Sequence, residues 1–165
     1  MGRIVAMYAS TGKNAELARS IAEIAQREGH ETILLDICGL NLPMYTPEAD
    51  DAISEIEGLK AVMKLLHDCD GWFVCAPEYN GSIPPVLSNM IAWLSREGDD
   101  FRALFRFRRV ALASVSGGGG QTCIVAMRLQ FAHLGCTVLG RSLVINKHRP
   151  KNSDSILELI RELMS

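Results

Sequence analysis

Short apolar segments alternate with amphipathic segments along the whole chain. Continuous apolar runs rich in β-branched and aromatic residues are typical of buried strands, and the chain has five of them, at residues 3–8, 31–36, 71–76, 109–115 and 137–145. Between and after them, apolar residues recur at helical spacing with charged residues on the other face, at residues 14–28, 51–67, 85–96, 122–134 and 153–164. The pattern predicts five β-α units.

Strands that are apolar on both faces belong in a parallel sheet covered by helices on both sides. With right-handed crossovers, the five units predict a three-layer α/β/α sandwich around a five-stranded parallel sheet. Neither a repeat nor a linker interrupts residues 1–165, so we expect a single domain. In such sheets ligands bind beyond the carboxyl ends of the strands, where the strand order reverses. This geometry selects three loops: 9–14, 77–85 and 116–121.

The first loop is short, polar and opens directly onto a predicted helix. A helix N-terminus offers unpaired backbone amides and a partial positive charge, which suit a phosphate group. Ser10, Thr11 and Asn14 can donate side-chain hydrogen bonds, Gly12 adds little bulk, and Lys13 adds charge. The loop therefore predicts a phosphate site. The alternative is a plain strand-to-helix turn with Asn14 as the N-cap.

The second and third loops suit a flat ligand. The second brings together an aromatic ring, a carboxylate, an amide and a hydroxyl, from Pro77, Glu78, Tyr79, Asn80 and Ser82. Its proline, asparagine and glycine also fit an ordinary turn. The third begins with Ser116 and continues through four glycines, whose backbone can approach a ligand closely because no side chain intervenes. A flexible connector is the alternative for this third loop.

Composition and charge argue against several classes of protein. Lys and Arg number 17 against 19 Asp and Glu, a formal net charge of -2, so there is no basic excess for nucleic acid. No apolar run reaches the roughly 18 residues of a membrane helix, and we see no signal peptide. The five cysteines include no two-residue spacing, and the four histidines make no metal-ligand spacing. We expect reduced thiols, a cytoplasmic protein and no metal.

The segment 77–96, PEYNGSIPPVLSNMIAWLSR, resembles the signature of the NADPH-dependent FMN reductase family. In that family, P-E-Y-N-x-S-x-P precedes L-K-N-x-I-D-W. Here Ser88 stands where the family often has Lys, and Ala92 where it often has Asp. The segment 114–118, SVSGG, resembles the second flavin loop of the family. The first loop lacks the family's arginine and is closer to the flavodoxin loop S/T-x-T-G-x-T, shortened by one residue.

The resemblance implies a flavodoxin-like fold with strand order 2-1-3-4-5, which binds FMN without covalent linkage over residues 1–165 and assembles as a homodimer or homotetramer. The isoalloxazine would be bordered on one side by Pro77, Glu78, Tyr79, Asn80 and Ser82, and closed on the other by Ser116, Gly117, Gly118 and Gly119. The ribityl phosphate would be held by the first loop, through Ser10, Thr11, Gly12, Lys13 and Asn14.

The activity that the resemblance implies is transfer of two electrons from NADPH or NADH, through FMN, to a small acceptor. Quinones, azo compounds, free flavin and metal oxyanions are the candidate acceptors. The flavin carries the chemistry, so no catalytic side chain is predicted. Backbone amides of the second loop would stabilise the reduced ring. Two alternatives are a flavodoxin-type electron carrier, which a net charge of -2 does not favour, and a cofactor-free binding protein, which the altered first loop keeps open.

Arginines alternate with phenylalanines just before the fourth predicted strand, between Phe101 and Arg109. Basic residues among aromatic ones can mark a path for single-stranded nucleic acid. The cluster is short and the chain is acidic overall, so a solvated turn or a subunit contact is favoured. Binding of the NADPH 2′-phosphate is a weaker interpretation.

Overall fold

The computed structural model describes residues 1–96 and 100–165, and its centre is a five-stranded parallel sheet. The strands are β1 (Arg3–Tyr8), β2 (Glu31–Asp36), β3 (Gly71–Cys75), β4 (Arg109–Val115) and β5 (Thr137–Ile145). Their order is β2-β1-β3-β4-β5, and every neighbouring pair is parallel. This confirms the predicted flavodoxin-like sheet and its strand order.

The helices form a layer on each side of the sheet. They are α1 (Lys13–Arg27), α2 (Pro47–Ala52), α3 (Leu59–His67), α4 (Pro85–Ser95), α5 (Gln121–His133) and α6 (Ser153–Leu163). Alternate strand residues enter two separate cores: Ile4 and Phe73 pack with α1 and α6, whereas Val5 and Trp72 pack with α3, α4 and α5. Both faces of the sheet are therefore covered, which is why the central strands β1, β3 and β4 are apolar at nearly every position.

The prediction of one helix over residues 51–67 is wrong. The chain forms α2 first, capped by the Thr46 hydroxyl, which accepts a hydrogen bond from the amide of Ala49 at 3.0 Å. Extended backbone follows at Ile53, and α3 begins only after Gly58, whose φ of 78° a helix interior does not allow. Ile53 and Ile56 still pack against the core, so the apolar periodicity was real although the backbone is not helical between them.

The arginine cluster precedes β4, so it lies at the amino ends of the strands. The three selected loops follow β1, β3 and β4 and therefore lie at the opposite, carboxyl ends. Arg108 donates to the carbonyls of Cys69 and His67, and Arg109 donates to the carbonyl of Glu162. These arginines hold the turn before β4 on the body of the protein. The weaker interpretation, binding of the NADPH 2′-phosphate, would therefore place that phosphate away from the three loops.

Within residues 1–96 and 100–165, no helix combines the length and the apolarity that crossing a bilayer requires.

Candidate active site

Three loops meet at the carboxyl edge of the sheet: loop one (9–14), loop two (77–85) and loop three (116–121). They follow β1, β3 and β4, which are consecutive neighbours in the sheet. Hydrogen bonds continue the sheet into the loops, from the amide of Ala9 to the carbonyl of Cys75 at 2.9 Å and from the amide of Ala76 to the carbonyl of Ala113 at 3.0 Å. The loops selected from the sequence therefore lie side by side.

Loop one leaves the start of α1 open. The N-cap is Gly12, and within the described chain no side chain caps the first amides of the helix. Thr11, Gly12 and Lys13 are exposed, and Ser10 is half-buried. Uncapped amides and a partial positive charge at a helix N-terminus suit an anionic group. The residues present therefore fit a phosphate.

Asn14 has a different place from the one expected. It is not the N-cap, and only 2% of its surface is exposed. Its Nδ2 donates to the carbonyl of Val115, and its Oδ1 accepts from the amide of Val115, both at 3.0 Å. The carboxamide thus joins loop one to the end of β4, where loop three begins. Asn14 fixes the two loops relative to each other, with its Oδ1 and one of its two Nδ2 donors bonded to Val115.

Loop two is a tight two-residue turn. Tyr79 and Ser82 exchange two backbone hydrogen bonds, each of 3.0 Å, and Asn80 and Gly81 between them have φ values of 50° and 74°. Positive φ at both central positions is the geometry for which Asn-Gly is preferred. Tyr79 lies on this rigid turn with 50% of its surface exposed, and Pro77 is buried below it.

Glu78 connects loop two to α5. Its Oε2 accepts hydrogen bonds from the hydroxyl of Thr122 at 2.6 Å, from the amide of Thr122 at 3.2 Å and from the amide of Cys123 at 3.3 Å. The hydroxyl contact, helped by the amides at the start of the helix, holds the pKa of Glu78 below its ordinary value. The carboxylate is a helix cap, a role that no local signal in the sequence indicates.

Loop three offers open space along its glycines. A Cβ added at Gly117 or Gly119 would meet no other atom within 4 Å, and one added at Gly118 would lie 3.3 Å from Oε1 of Glu78. Gly120, the N-cap of α5, differs: its φ is 84°, and a Cβ there would lie 2.9 Å from the hydroxyl oxygen of Ser114. A planar ring needs a surface from which no side chain projects, and the glycines of loop three provide such a surface.

The turn that follows β5 lies against loop three, and it was not among the loops selected from the sequence. Nδ2 of Asn146 donates to the carbonyl of Gly119 at 3.2 Å, which ties this turn to loop three. A cavity of about 390 Å³ separates Lys13 from Asn146 and Lys147, with Ser116 and Gly117 in its wall. The run of basic residues from 147 to 151 was the signal that could have found it.

Cys123, at the start of α5, lies beside Glu78. Burial, helped by the nearby carboxylate of Glu78, raises the pKa of the Cys123 thiol to about 11, so this thiol is protonated at neutral pH. The described residues at this edge include backbone amides, hydroxyls, lysines and the uncovered glycine backbone of loop three. This set suits a bound planar cofactor with a phosphate, which itself carries the reactivity.

Comparisons with known proteins agree with this geometry. A family model described as NADPH-dependent FMN reductase matches residues 2–150. A 2-hydroxy-1,4-benzoquinone reductase from Burkholderia sp is 27% identical over 151 residues, which cover 90% of this chain and 79% of that protein. A quinone reductase from Escherichia coli (strain K12) is 27% identical over 150 residues, which cover 87% of this chain and 77% of that protein.

Among solved structures, the flavoenzyme FerB, an NAD(P)H:(acceptor) oxidoreductase from Paracoccus denitrificans, superposes with a TM-score of 0.75 at 17% identity and covers 99% of both chains. At this identity the superposition supports the flavodoxin-like fold. The family match extends over most of the chain and includes all three loops. The chain therefore belongs to the NADPH-dependent FMN reductase family, whose members are FMN-dependent NAD(P)H oxidoreductases.

Proposed function

We propose that the protein is an NAD(P)H:quinone oxidoreductase with FMN in the slot between the three loops. The observation that carries the proposal is the pairing of an open glycine floor in loop three with the exposed Tyr79 on the rigid turn of loop two. The space between loop two and loop three would let first the nicotinamide and then the acceptor approach a bound flavin ring. The names of the two curated relatives, both quinone reductases, support quinones as the acceptor class.

Each loop has a role toward FMN in this proposal. The amides at the start of α1, with Ser10, Thr11, Gly12 and Lys13, bind the phosphate, and Asn14 positions them through Val115. The ring lies against loop two, formed by Pro77, Glu78, Tyr79, Asn80 and Ser82, and against loop three, formed by Ser116, Gly117, Gly118 and Gly119. When bound, FMN supplies a hydride acceptor and a donor of two electrons.

The protein contributes binding, orientation and electrostatics. Within the loop-two turn, the amides of Tyr79 and Ser82 are already bonded to each other's carbonyls, so the tip amides of Asn80 and Gly81 are the donors left for the ring edge. Dipoles fixed in place stabilise a developing negative charge without reorganisation. Glu78 acts indirectly: its bonds to Thr122 hold the turn against α5, and it is a positioning residue.

A single titration distinguishes this function from its two alternatives. The purified protein is incubated with FMN, desalted and titrated anaerobically with NADPH, and 1,4-benzoquinone is then added. We expect a flavin spectrum, bleaching by NADPH and recovery of the oxidised spectrum by the quinone in equimolar amount. A flavodoxin-type carrier would be bleached by dithionite but not by NADPH. A binding scaffold would elute colourless, and either result would overturn the proposal.

We also propose a homodimer or homotetramer. Val125 and Leu129, one turn apart on α5, expose 57% and 68% of their surface, which supports association with another copy of the chain. Light scattering on the eluting protein tests this, and a monomer at micromolar concentration would overturn it.

The proposed location is the cytoplasm. All five cysteines lie in the described residues and all are unpaired, which supports a reducing compartment. Fractionation of cells that express a tagged chain tests it, and recovery of the tag outside the cytoplasmic fraction would contradict it.

A further inference from the structure

We propose a second anion-binding subsite beside the FMN slot, in which Lys147 and Lys151 hold a phosphate group of the nicotinamide dinucleotide, with Lys13 shared between this subsite and the FMN phosphate. The subsite rests on the proposed use of NADPH or NADH, and it assigns a place for the part of that molecule that does not react. It lies between the start of α1 and the turn after β5.

The turn after β5 is strongly basic, although the chain as a whole is slightly acidic. The turn reads NKHRPK over residues 146–151, in a protein with a formal net charge of -2. Across the described residues, no carboxylate lies within 4 Å of the charged groups of Lys13, Lys147 or Lys151. Nζ of Lys151 donates to the hydroxyl of Ser20 at 2.9 Å, which is a neutral partner. These positive charges are available to an anion.

Two adjoining cavities give the lysines a common space. The first, of about 390 Å³, is lined by Lys13 and Lys147. The second, of about 200 Å³, is lined by Lys13 and Lys151, with Glu16 as an acidic group in its wall. Both cavities share the ends of β4 and β5. Three lysines therefore line the two adjoining cavities, with one acidic residue in the second, and lysine is a common point-charge ligand of phosphate.

Asn146 preorganises the basic turn. Its Oδ1 accepts from the amides of His148 and Arg149, at 2.9 and 3.1 Å, and the backbones of Asn146 and Arg149 exchange two further hydrogen bonds. Its Nδ2 donates to the carbonyl of Gly119 in loop three. The turn that carries Lys147 is thus fixed to the loop that borders the proposed ring site. Preorganisation of this kind lowers the cost of ordering when a ligand binds.

The position favours the dinucleotide over FMN as the source of the phosphate. FMN has one phosphate, for which loop one already provides the uncapped amides of α1. The subsite extends from there past Ser116 and Gly117 to the β5 side of the sheet. A dinucleotide whose nicotinamide stacks on the ring still has a diphosphate, and in NADPH a 2′-phosphate, to place outside the ring slot.

The test uses the double variant Lys147→Gln/Lys151→Gln, with Lys60→Gln as a matched loss of one exposed lysine on α3. Calorimetry measures binding of adenosine 2′,5′-bisphosphate to the protein with and without FMN, and fluorescence measures FMN affinity. We expect the double variant to bind the bisphosphate about tenfold more weakly, with a shallower dependence on salt, and to raise the KM for NADPH by a similar factor. FMN affinity and kcat stay within twofold, and Lys60→Gln changes nothing.

Two results would overturn the subsite. One is unchanged affinity for the bisphosphate in the double variant. The other is loss of FMN affinity with bisphosphate binding intact, which would assign the lysines to the phosphate of FMN. The bisphosphate is also measured without flavin, so failure of the proposed function can be told apart from failure of the subsite. A protein that binds the bisphosphate through these lysines but is not bleached by NADPH has the subsite and lacks the reductase activity.

Discussion

The carboxylate of Glu78 and the hydroxyl of Thr122 lie 2.6 Å apart, although 44 residues separate them in the chain. The same carboxylate oxygen accepts the amides of Thr122 and Cys123, so it closes the N-terminus of α5 from outside the helix. Loop two and loop three are therefore held at a fixed separation by one side chain. The width of the proposed ring slot depends on this contact.

Removal of the Glu78 carboxylate should weaken both the helix and the slot. For Glu78→Ala we expect a loss of about 1 kcal/mol in the free energy of unfolding, the usual size of a lost helix cap, and weaker FMN binding. Urea unfolding and flavin fluorescence measure the two effects. Glu57→Ala, at an exposed position before α3, is the matched control. Equal stability of the two variants would contradict the capping role.

The same contact gives a pH dependence with a definite sign. The folded pKa of Glu78 is lowered, so its stabilising effect is complete above the unfolded pKa of about 4.3 and is lost as the pH falls through the folded value. The stability difference between the wild type and Glu78→Gln should be constant from neutral pH down to about pH 5 and shrink below about pH 4. Urea midpoints at a series of pH values measure it. A difference that grows on acidification would contradict this assignment.

Asn14 should matter more for stability than its place in a ligand loop suggests. Asn14→Ala removes two buried hydrogen bonds and leaves the amide and carbonyl of Val115 without their partner, so we expect a loss of about 2 kcal/mol. Asn14→Asp keeps the acceptor for the Val115 amide but sets a buried carboxylate oxygen against the Val115 carbonyl, so it should lose at least as much. Thermal and urea unfolding compare the two. A smaller loss for Asn14→Asp than for Asn14→Ala would contradict this expectation.

The three central strands, β1, β3 and β4, were predictable because nearly all of their consecutive residues are buried and apolar. Four of the five strands, among them Arg3–Tyr8 and Thr137–Ile145, have the predicted bounds, and Gly71–Cys75 is one residue shorter. A strand buried on both faces needs apolar residues at every position, and few other structures need that pattern. The position of the three loops follows from the strands, so it was predictable as well.

The contacts that fix the site were not predictable. Asn14 and Val115 are 101 residues apart, and Asn146 and Gly119 are 27 apart. A polar residue in a loop signals that it can make a hydrogen bond but not which partner the fold brings to it. For the same reason the sequence predicted Asn14 as a phosphate donor or an N-cap, whereas in the structure its buried side chain is hydrogen-bonded to Val115. The helical periodicity over 51–67 failed at Gly58, where a positive φ interrupts the helix without interrupting the apolar spacing.

Gly117 and Gly120 in loop three should differ, because of the two only Gly120 has a left-handed φ and a crowded Cβ position. Gly120→Ala places a Cβ 2.9 Å from the Ser114 hydroxyl at a φ of 84°, and we expect a loss of about 1–2 kcal/mol in stability. Gly117→Ala meets nothing within 4 Å and should change stability by less than about 0.5 kcal/mol. Urea unfolding of both variants without FMN checks this, and equal losses would contradict the distinction.

Loop one should distinguish FMN from riboflavin, which lacks the phosphate. If Ser10 and Thr11 bind the phosphate beside the uncapped amides of α1, the double variant Ser10→Ala/Thr11→Val weakens FMN binding by about tenfold and leaves riboflavin binding within twofold. Quenching of flavin fluorescence measures both affinities. Thr137→Val, at the exposed start of β5 on the opposite edge of the sheet, is the control and should change neither. Equal weakening of FMN and riboflavin would show that the hydroxyls contact the ring or shape the loop, and the phosphate would then have to be bound elsewhere.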